Sequence, residues 1–283
     1  MKILKSFDGT KVAYRQVDGK KNLPTLVFLH GVGGNWTVWR HELEAFEKKG
    51  YSTIAIDLRG HGESDSPLPF HKYKHTSFVR DVYEILKKEK ITNFSLIGHS
   101  LGGGVVITYC SRYKKYFPSS VIFVETPSTY PFQHDHILNF GNYTTHLLRF
   151  IARHEATRAD HYPHFHDLDL SAKGRKGKYN LIKHLLHVTP LVSIVNTLDN
   201  VEEYIFNNQK VIDKTLRDLN VPTLVLAGDL DKTVPLKYSQ RIKRLDRDAI
   251  YKVIKGGTHH MVIDGPKKVV SSMERFFKKT GNV

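Results

Sequence analysis

The chain has a single cysteine, Cys110, in 283 residues. No internal disulfide is possible, so the fold must rest on its apolar core. No apolar run approaches the roughly 20 residues of a membrane-spanning helix, and Met1 to Phe7, followed by Asp8-Gly9, lacks the apolar stretch of a secretion signal. These absences lead us to expect a soluble, cytoplasmic protein with no integral membrane segment. Repeats and low-complexity tracts are also missing, which sets aside fibrous and disordered classes. Acidic residues are in short supply, 28 against 43 Lys plus Arg, for a formal charge of +15. A basic balance of that size raises nucleic-acid binding. The lysine pairs, among them Lys20-Lys21, Lys87-Lys88 and Lys278-Lys279, are short and scattered, however, and none belongs to a nucleic-acid motif. We expect solvated surface charge and no nucleic-acid partner.

What is present is a rhythm. Two Asp-Gly pairs, Asp8-Gly9 and Asp18-Gly19, bracket a strand-like Lys11 to Val17 and predict an antiparallel start. Short apolar runs then follow at Thr25 to Leu29, Ser52 to Ile56, Phe94 to Ile97 and Val121 to Val124. They alternate with amphipathic segments around Trp39 to Lys49, Phe78 to Lys88 and Val105 to Lys115. Continuous apolar strands separated by helices predict a parallel sheet covered on both faces. From Pro127 to Val211 the apolar residues recur at helical spacing instead, as in Leu147, Phe150 and Ile151, with a Gly/Lys-rich hinge at Lys173 to Lys178. The alternation resumes with Thr223 to Ala227, Leu236 to Leu245, Ile250 to Ile254 and Lys267 to Lys278. The expected organisation is an α/β core over residues 1–126 and 212–283, interrupted by a helical cap over 127–211. That cap holds nine Lys plus Arg against eight Asp plus Glu, so nearly all of the +15 lies on the core.

Three segments carry chemistry. In Gly98-His99-Ser100-Leu101-Gly102 a strand turns abruptly into a helix, a geometry that exposes Ser100 Oγ and aims a helix N-terminus at developing negative charge. Glycines at both second neighbours relieve the crowding of that turn. His30-Gly31-Val32-Gly33-Gly34 follows another strand, and its glycines let the backbone bend inward and present an N–H to a reacting oxygen. It lacks the Lys-Ser/Thr ending of a phosphate-binding loop. A serine needs a histidine to take its proton, and that histidine needs a carboxylate to fix its tautomer. Candidates follow the last two strands: Asp229 or Asp231, and His259 or His260.

With these motifs the chain resembles the α/β-hydrolase superfamily, in particular its esterase, monoglyceride-lipase and lactonase-like members. Asp57-Leu58-Arg59-Gly60-His61-Gly62-Glu63-Ser64 matches that family's turn after its fourth strand, which is usually structural. The resemblance implies a mostly parallel central sheet of about eight strands flanked by helices, with the cap inserted after the sixth strand. It implies Ser100, Asp231 and His259 as the catalytic triad, because the acid commonly lies three residues after the strand-ending Gly228. The histidine commonly precedes an acidic residue by five positions and a proline by seven, here Asp264 and Pro266. Thr258 departs from the glycine often found before that histidine. Glu125, at the end of Val121 to Val124, is where some relatives place the acid.

The backbone N–H groups of Val32 and Leu101 are the expected oxyanion donors, and His30, Gly31, Trp36 and His99 the expected substrate contacts; Trp39 is an alternative to Trp36, with core packing open for both. The resulting expectation is cleavage of a small or medium carboxylic ester through an acyl-enzyme, without metal or cofactor. Serine stands where relatives acting on epoxides or halides carry aspartate. The same resemblance leaves lactonase, thioesterase, C–C hydrolase or perhydrolase chemistry open, and also a receptor that keeps the triad with little turnover. His161, His164, His166 and Asp167 suggest a metal site by residue type, but Pro163 breaks their helical spacing and no zinc motif matches.

Overall fold

A computed structural model describes residues 1–129 and 189–281. The histidine-rich stretch from His161 to Asp167, the hinge at Lys173 to Lys178 and most of the expected cap lie outside the described residues.

The described elements are β1 (Lys2–Lys5), β2 (Lys11–Val17), β3 (Thr25–Leu29), a 3₁₀ turn (Trp36–Trp39), α1 (Arg40–Lys48), β4 (Thr53–Ile56), a second 3₁₀ turn (Phe70–Tyr73), α2 (His75–Lys88), β5 (Phe94–His99), α3 (Leu101–Arg112) and β6 (Ser120–Val124). After the undescribed segment come α4 (Leu191–Arg217), β7 (Thr223–Gly228), α5 (Leu236–Leu245), β8 (Ile250–Ile254), α6 (Met261–Asp264) and α7 (Pro266–Thr280). The strands form one eight-stranded sheet in the order β1-β2-β4-β3-β5-β6-β7-β8. β1 and β2 pair antiparallel, β2 joins β4 antiparallel, and the pairs from β4 through β8 are parallel.

The apolar runs lack alternation because both faces of these strands are covered. Along β3, Val27 and Leu29 belong to one core with Phe78, Val82 and Val106 of α2 and α3. Leu26 and Phe28 belong to the other core, with Phe46 of α1 and Phe276 and Phe277 of α7. Side chains two apart share a face, so one strand feeds two cores. The chain proceeds from β3 to β4 on one side and to β5 on the other. Such a reversal opens a crevice at the C-terminal strand ends, where open α/β sheets bind ligands.

Two buried charged groups fix the turn after β4. Arg59 is wholly buried and pairs bidentately with Asp81 through Nε (2.7 Å) and Nη2 (2.8 Å), while Nη1 reaches Asp8 (2.9 Å). Asp57 accepts the N–H of Trp36 (2.6 Å) and of Glu63 (2.9 Å), tying this turn to the loop that follows β3. Burial outweighs those two bonds and raises Asp57 to about 7. The resemblance assigned this segment a structural role, and its contacts are of that kind.

Helix α4 runs unbroken through Val211, so the expected boundary between cap and core at 211/212 falls inside a helix. Tyr73 Oη and Ser193 Oγ, 2.8 Å apart, join its start to the second 3₁₀ turn, and Arg241 of α5 grips Asp213 near its end (Nη1, 2.8 Å). No described helix is long and apolar enough to cross a membrane.

Candidate active site

Ser100 sits between β5 and α3 with φ 49° and ψ −112°, a conformation that non-glycine residues rarely adopt. Its N–H donates to Val124 O at 3.0 Å, which fixes the turn to β6. The glycines two residues away are sterically required. A Cβ on Gly98 would lie 2.5 Å from the backbone of Gly102, and one on Gly102 would overlap the carbonyl of Leu29. Leu101 N opens α3 and has no acceptor one turn back in the helix.

The C-terminal ends of β7 and β8 bring in the other two groups. His259 Nδ1 lies 2.8 Å from Asp231 Oδ2, and His259 Nε2 lies 3.2 Å from Ser100 Oγ. With the proton on Nδ1, the imidazole donates to Asp231 and accepts from the Ser100 hydroxyl. Asp231 Oδ1 accepts the N–H groups of Thr233 and Val234, each at 2.8 Å, so the carboxylate cannot swing away. Burial pushes the Asp231 pKa up, but the bond and charge of His259, with further hydrogen bonds, outweigh it and hold it below the usual carboxylate value. Asp229 is bonded instead to Gly256 N (2.6 Å), and Thr258 Oγ1 donates to Asp264 (2.7 Å). The threonine thus braces the loop in front of His259.

The four expected substrate contacts divide. Gly31 borders the serine: a Cβ there would stand 3.2 Å from Ser100 Cβ, which brings the loop carrying Val32 against the elbow. His30 does not face the crevice. Its ring is wholly buried, Nε2 accepts the N–H of Leu58 (3.0 Å), and Nδ1 lies 2.7 Å from Gly31 O. A histidine at a strand end reads from sequence as available, yet its nitrogens are spent inside the fold. His99 is likewise buried and donates from Nε2 to the carbonyl of His259 (2.8 Å), so this nitrogen braces the backbone of His259. Trp36 carries the Arg15 guanidinium 5.5 Å above its ring, so that ring packs against β2. Trp39 is core, 5.3 Å from Phe28 and edge-on to His99. Sequence spacing could not separate these cases, because each depends on which strand lies next to the residue.

Among the described residues, no group of three or more His, Cys, Asp or Glu is arranged to hold a metal.

The model of the alpha/beta hydrolase fold family matches residues 24–266. The chain belongs to that family. Curated relatives include epoxide hydrolase 3 of Xenopus tropicalis, 34% identical over 121 residues that cover 43% of this chain and 32% of that protein. Protein ABHD8 of Homo sapiens is 27% identical over 256 residues, covering 89% of this chain and 54% of that one. The chain therefore spans about a third to a half of the length of these curated relatives. Among solved structures, one from work on carboxylesterases of the thaumarchaeon Nitrososphaera gargenis superposes with a TM-score of 0.76 at 19% identity, covering 99% of both chains. At that identity the likeness concerns the fold.

Proposed function

We propose that this protein is a serine hydrolase that cleaves carboxylic esters of small or medium acyl groups through an acyl-enzyme. The observation that carries this reading is a serine in the strained elbow, within hydrogen-bond reach of a histidine that Asp231 holds. Ser100 Oγ attacks the ester carbonyl while His259 Nε2 takes its proton. The negative charge that forms on the carbonyl oxygen is met by the N–H groups of Leu101 and Val32. A single donor of this kind contributes about 3–4 kcal/mol to the transition state. His259 then returns the proton to the leaving alcohol, and a water activated by the same histidine releases the acid. No step requires a metal or cofactor.

The nucleophile also separates this reading from epoxide opening, the activity named for one of the relatives. A serine that opens an epoxide becomes an ether, which water does not hydrolyse under these conditions; a serine that takes an acyl group becomes an ester, which it does. Ser100 thus supports acyl transfer as the reaction type.

Intact-mass measurement after brief mixing with a series of p-nitrophenyl esters tests this proposal. An added acyl mass on Ser100 that decays with steady nitrophenol release supports it. Hydrolysis of styrene oxide without any acyl adduct would replace it.

A further inference from the structure

Glu125 follows β6 and has a role that ester cleavage by Ser100, Asp231 and His259 does not assign. Its backbone has φ 46°, a left-handed conformation that favours glycine or asparagine, yet a glutamate occupies it. The side chain is completely buried. Oε1 accepts the N–H of Gly228 at 2.9 Å, and that approach is open only because residue 228 has no side chain: a Cβ there would lie 2.7 Å from Oε1. Among the described residues, no donor reaches Oε2. The carboxyl of Asp231, the acid of the proposed triad, is close enough for its charge and hydrogen bonding to act on Glu125.

Counting acceptors settles which carboxyl holds a proton. Asp231 Oδ1 takes two N–H groups, from Thr233 and Val234, and Oδ2 takes His259 Nδ1. A carboxylate offers about four lone-pair sites, so one remains, on Oδ2. Two ionised carboxylates cannot hydrogen-bond each other, and one of a buried pair keeps its proton. Asp231 has a cationic partner when His259 is protonated, and three N–H donors in any state; Glu125 has one N–H and an orphaned oxygen. Glu125 is therefore the proton holder.

We propose that Glu125 is a positioning residue, held neutral, whose carboxyl O–H donates to Asp231 and completes the shell that keeps Asp231 ionised and aimed at His259. This inference rests on the triad reading above. The proton of Glu125 stays on Glu125 throughout, and only the Ser100 proton moves during acyl transfer. The physical setting agrees. Burial first, and the Asp231 charge second, raise Glu125 to about 10. The titratable groups around the pair are His259, Asp264 and Tyr251, with His99 and His260 beyond His259.

Infrared difference spectroscopy of the full chain at pH 8, wild type minus Glu125→Gln, tests the protonation state without reference to activity. Loss of one protonated-carboxyl stretch is expected; loss of a carboxylate band overturns the proposal even if esters are cleaved. Kinetics with p-nitrophenyl esters then tests the role. Gln can accept from Gly228 and donate to Asp231, so Glu125→Gln is expected to keep kcat/KM within about threefold and leave its pH profile in place. Glu125→Leu, which can do neither, is expected to lower kcat about tenfold, the worth of one hydrogen bond to a charged group. It is also expected to shift the acidic limb to higher pH, because an undersolvated Asp231 pulls harder on a protonated imidazole. Equal activity in Glu125→Leu, with only a lower Tm, would reduce Glu125 to a structural residue and overturn the proposal. A collapse in Glu125→Gln with full activity in Asp231→Asn would make Glu125 the ionised acid and overturn it as well. Absence of ester turnover in the wild type would defeat the ester reading and leave the infrared result standing.

Discussion

His99 Nε2 lies 2.8 Å from the carbonyl oxygen of His259, so the residue immediately before the serine holds the backbone of the histidine that faces it. Burial, reinforced by the neighbouring His259, pushes His99 down to about 3, so the ring stays neutral and has one N–H to give. Its edge contact with Trp39, at 6.3 Å, and the close packing of Gly31 fix its plane. The distance between Ser100 and His259 thus depends in part on a buried neighbouring side chain.

His99→Ala is therefore expected to lower kcat/KM about tenfold, the loss of roughly one hydrogen bond. Labelling of Ser100 by a fluorophosphonate should slow by a similar factor. A variant that labels at the wild-type rate would mean that the loop holding His259 keeps its place without this brace.

Neighbouring glycines in α3 are expected to respond with opposite signs. A methyl group at Gly102 meets the backbone of Leu29, which cannot yield, so Gly102→Ala should cost about 1–3 kcal/mol or more and reduce the yield of folded protein. At Gly104 the nearest atom is Cε1 of the His75 ring, 3.6 Å away, an ordinary van der Waals distance, so Gly104→Ala should raise stability by about 1 kcal/mol through helix propensity. Denaturant melts of the two variants measure both.

Much of the site was legible because its residues are fixed by local backbone geometry. Gly98 and Gly102 are demanded by a single turn, and Asp231 and His259 follow strands whose apolar runs are plain in the sequence. Their order along the chain pointed to one constellation. For His30, His99 and Trp36 the sequence shows residue type but not partner: their contacts, with Leu58, His259 O and Arg15, come from residues far away in the sequence. Glu125 read as a spare acid because only the fold shows Gly228 N–H taking one of its oxygens. The start of α2 at His75, three residues before the expected Phe78, is similarly tertiary. His75 is buried against α3, 3.0 Å from Thr108 Oγ1, and no amphipathic period announces that contact.

Buried neutral histidines give the fold a pH signature. Burial pulls His61, His75 and His260 down to about 4 and His99 to about 3. In the unfolded chain each takes up a proton near pH 6.5, whereas the folded chain does so only near the lower values. The unfolded state binds more protons across that window, so stability present above about pH 6.5 is lost as the pH falls toward 4, at about 1.4 kcal/mol per pH unit for each histidine. Glu42, Glu125 and Asp57, all raised by burial, act with the opposite sign, and their effect levels off below about pH 4, where unfolded carboxylates are themselves protonated. The steepest loss of Tm is therefore expected between about pH 6 and 4. His75→Gln should flatten it, and an unchanged slope in that variant would show that His75 is protonated in the fold.

The most direct test of the central claim is to follow p-nitrophenyl ester turnover and fluorophosphonate labelling in the wild type and in Ser100→Ala. The wild type is expected to turn over repeatedly and to carry one label, on Ser100, while Ser100→Ala, still folded by circular dichroism, shows neither. Turnover at the wild-type rate in Ser100→Ala, or a folded wild type that neither labels nor cleaves, would contradict the assignment of Ser100 as the nucleophile.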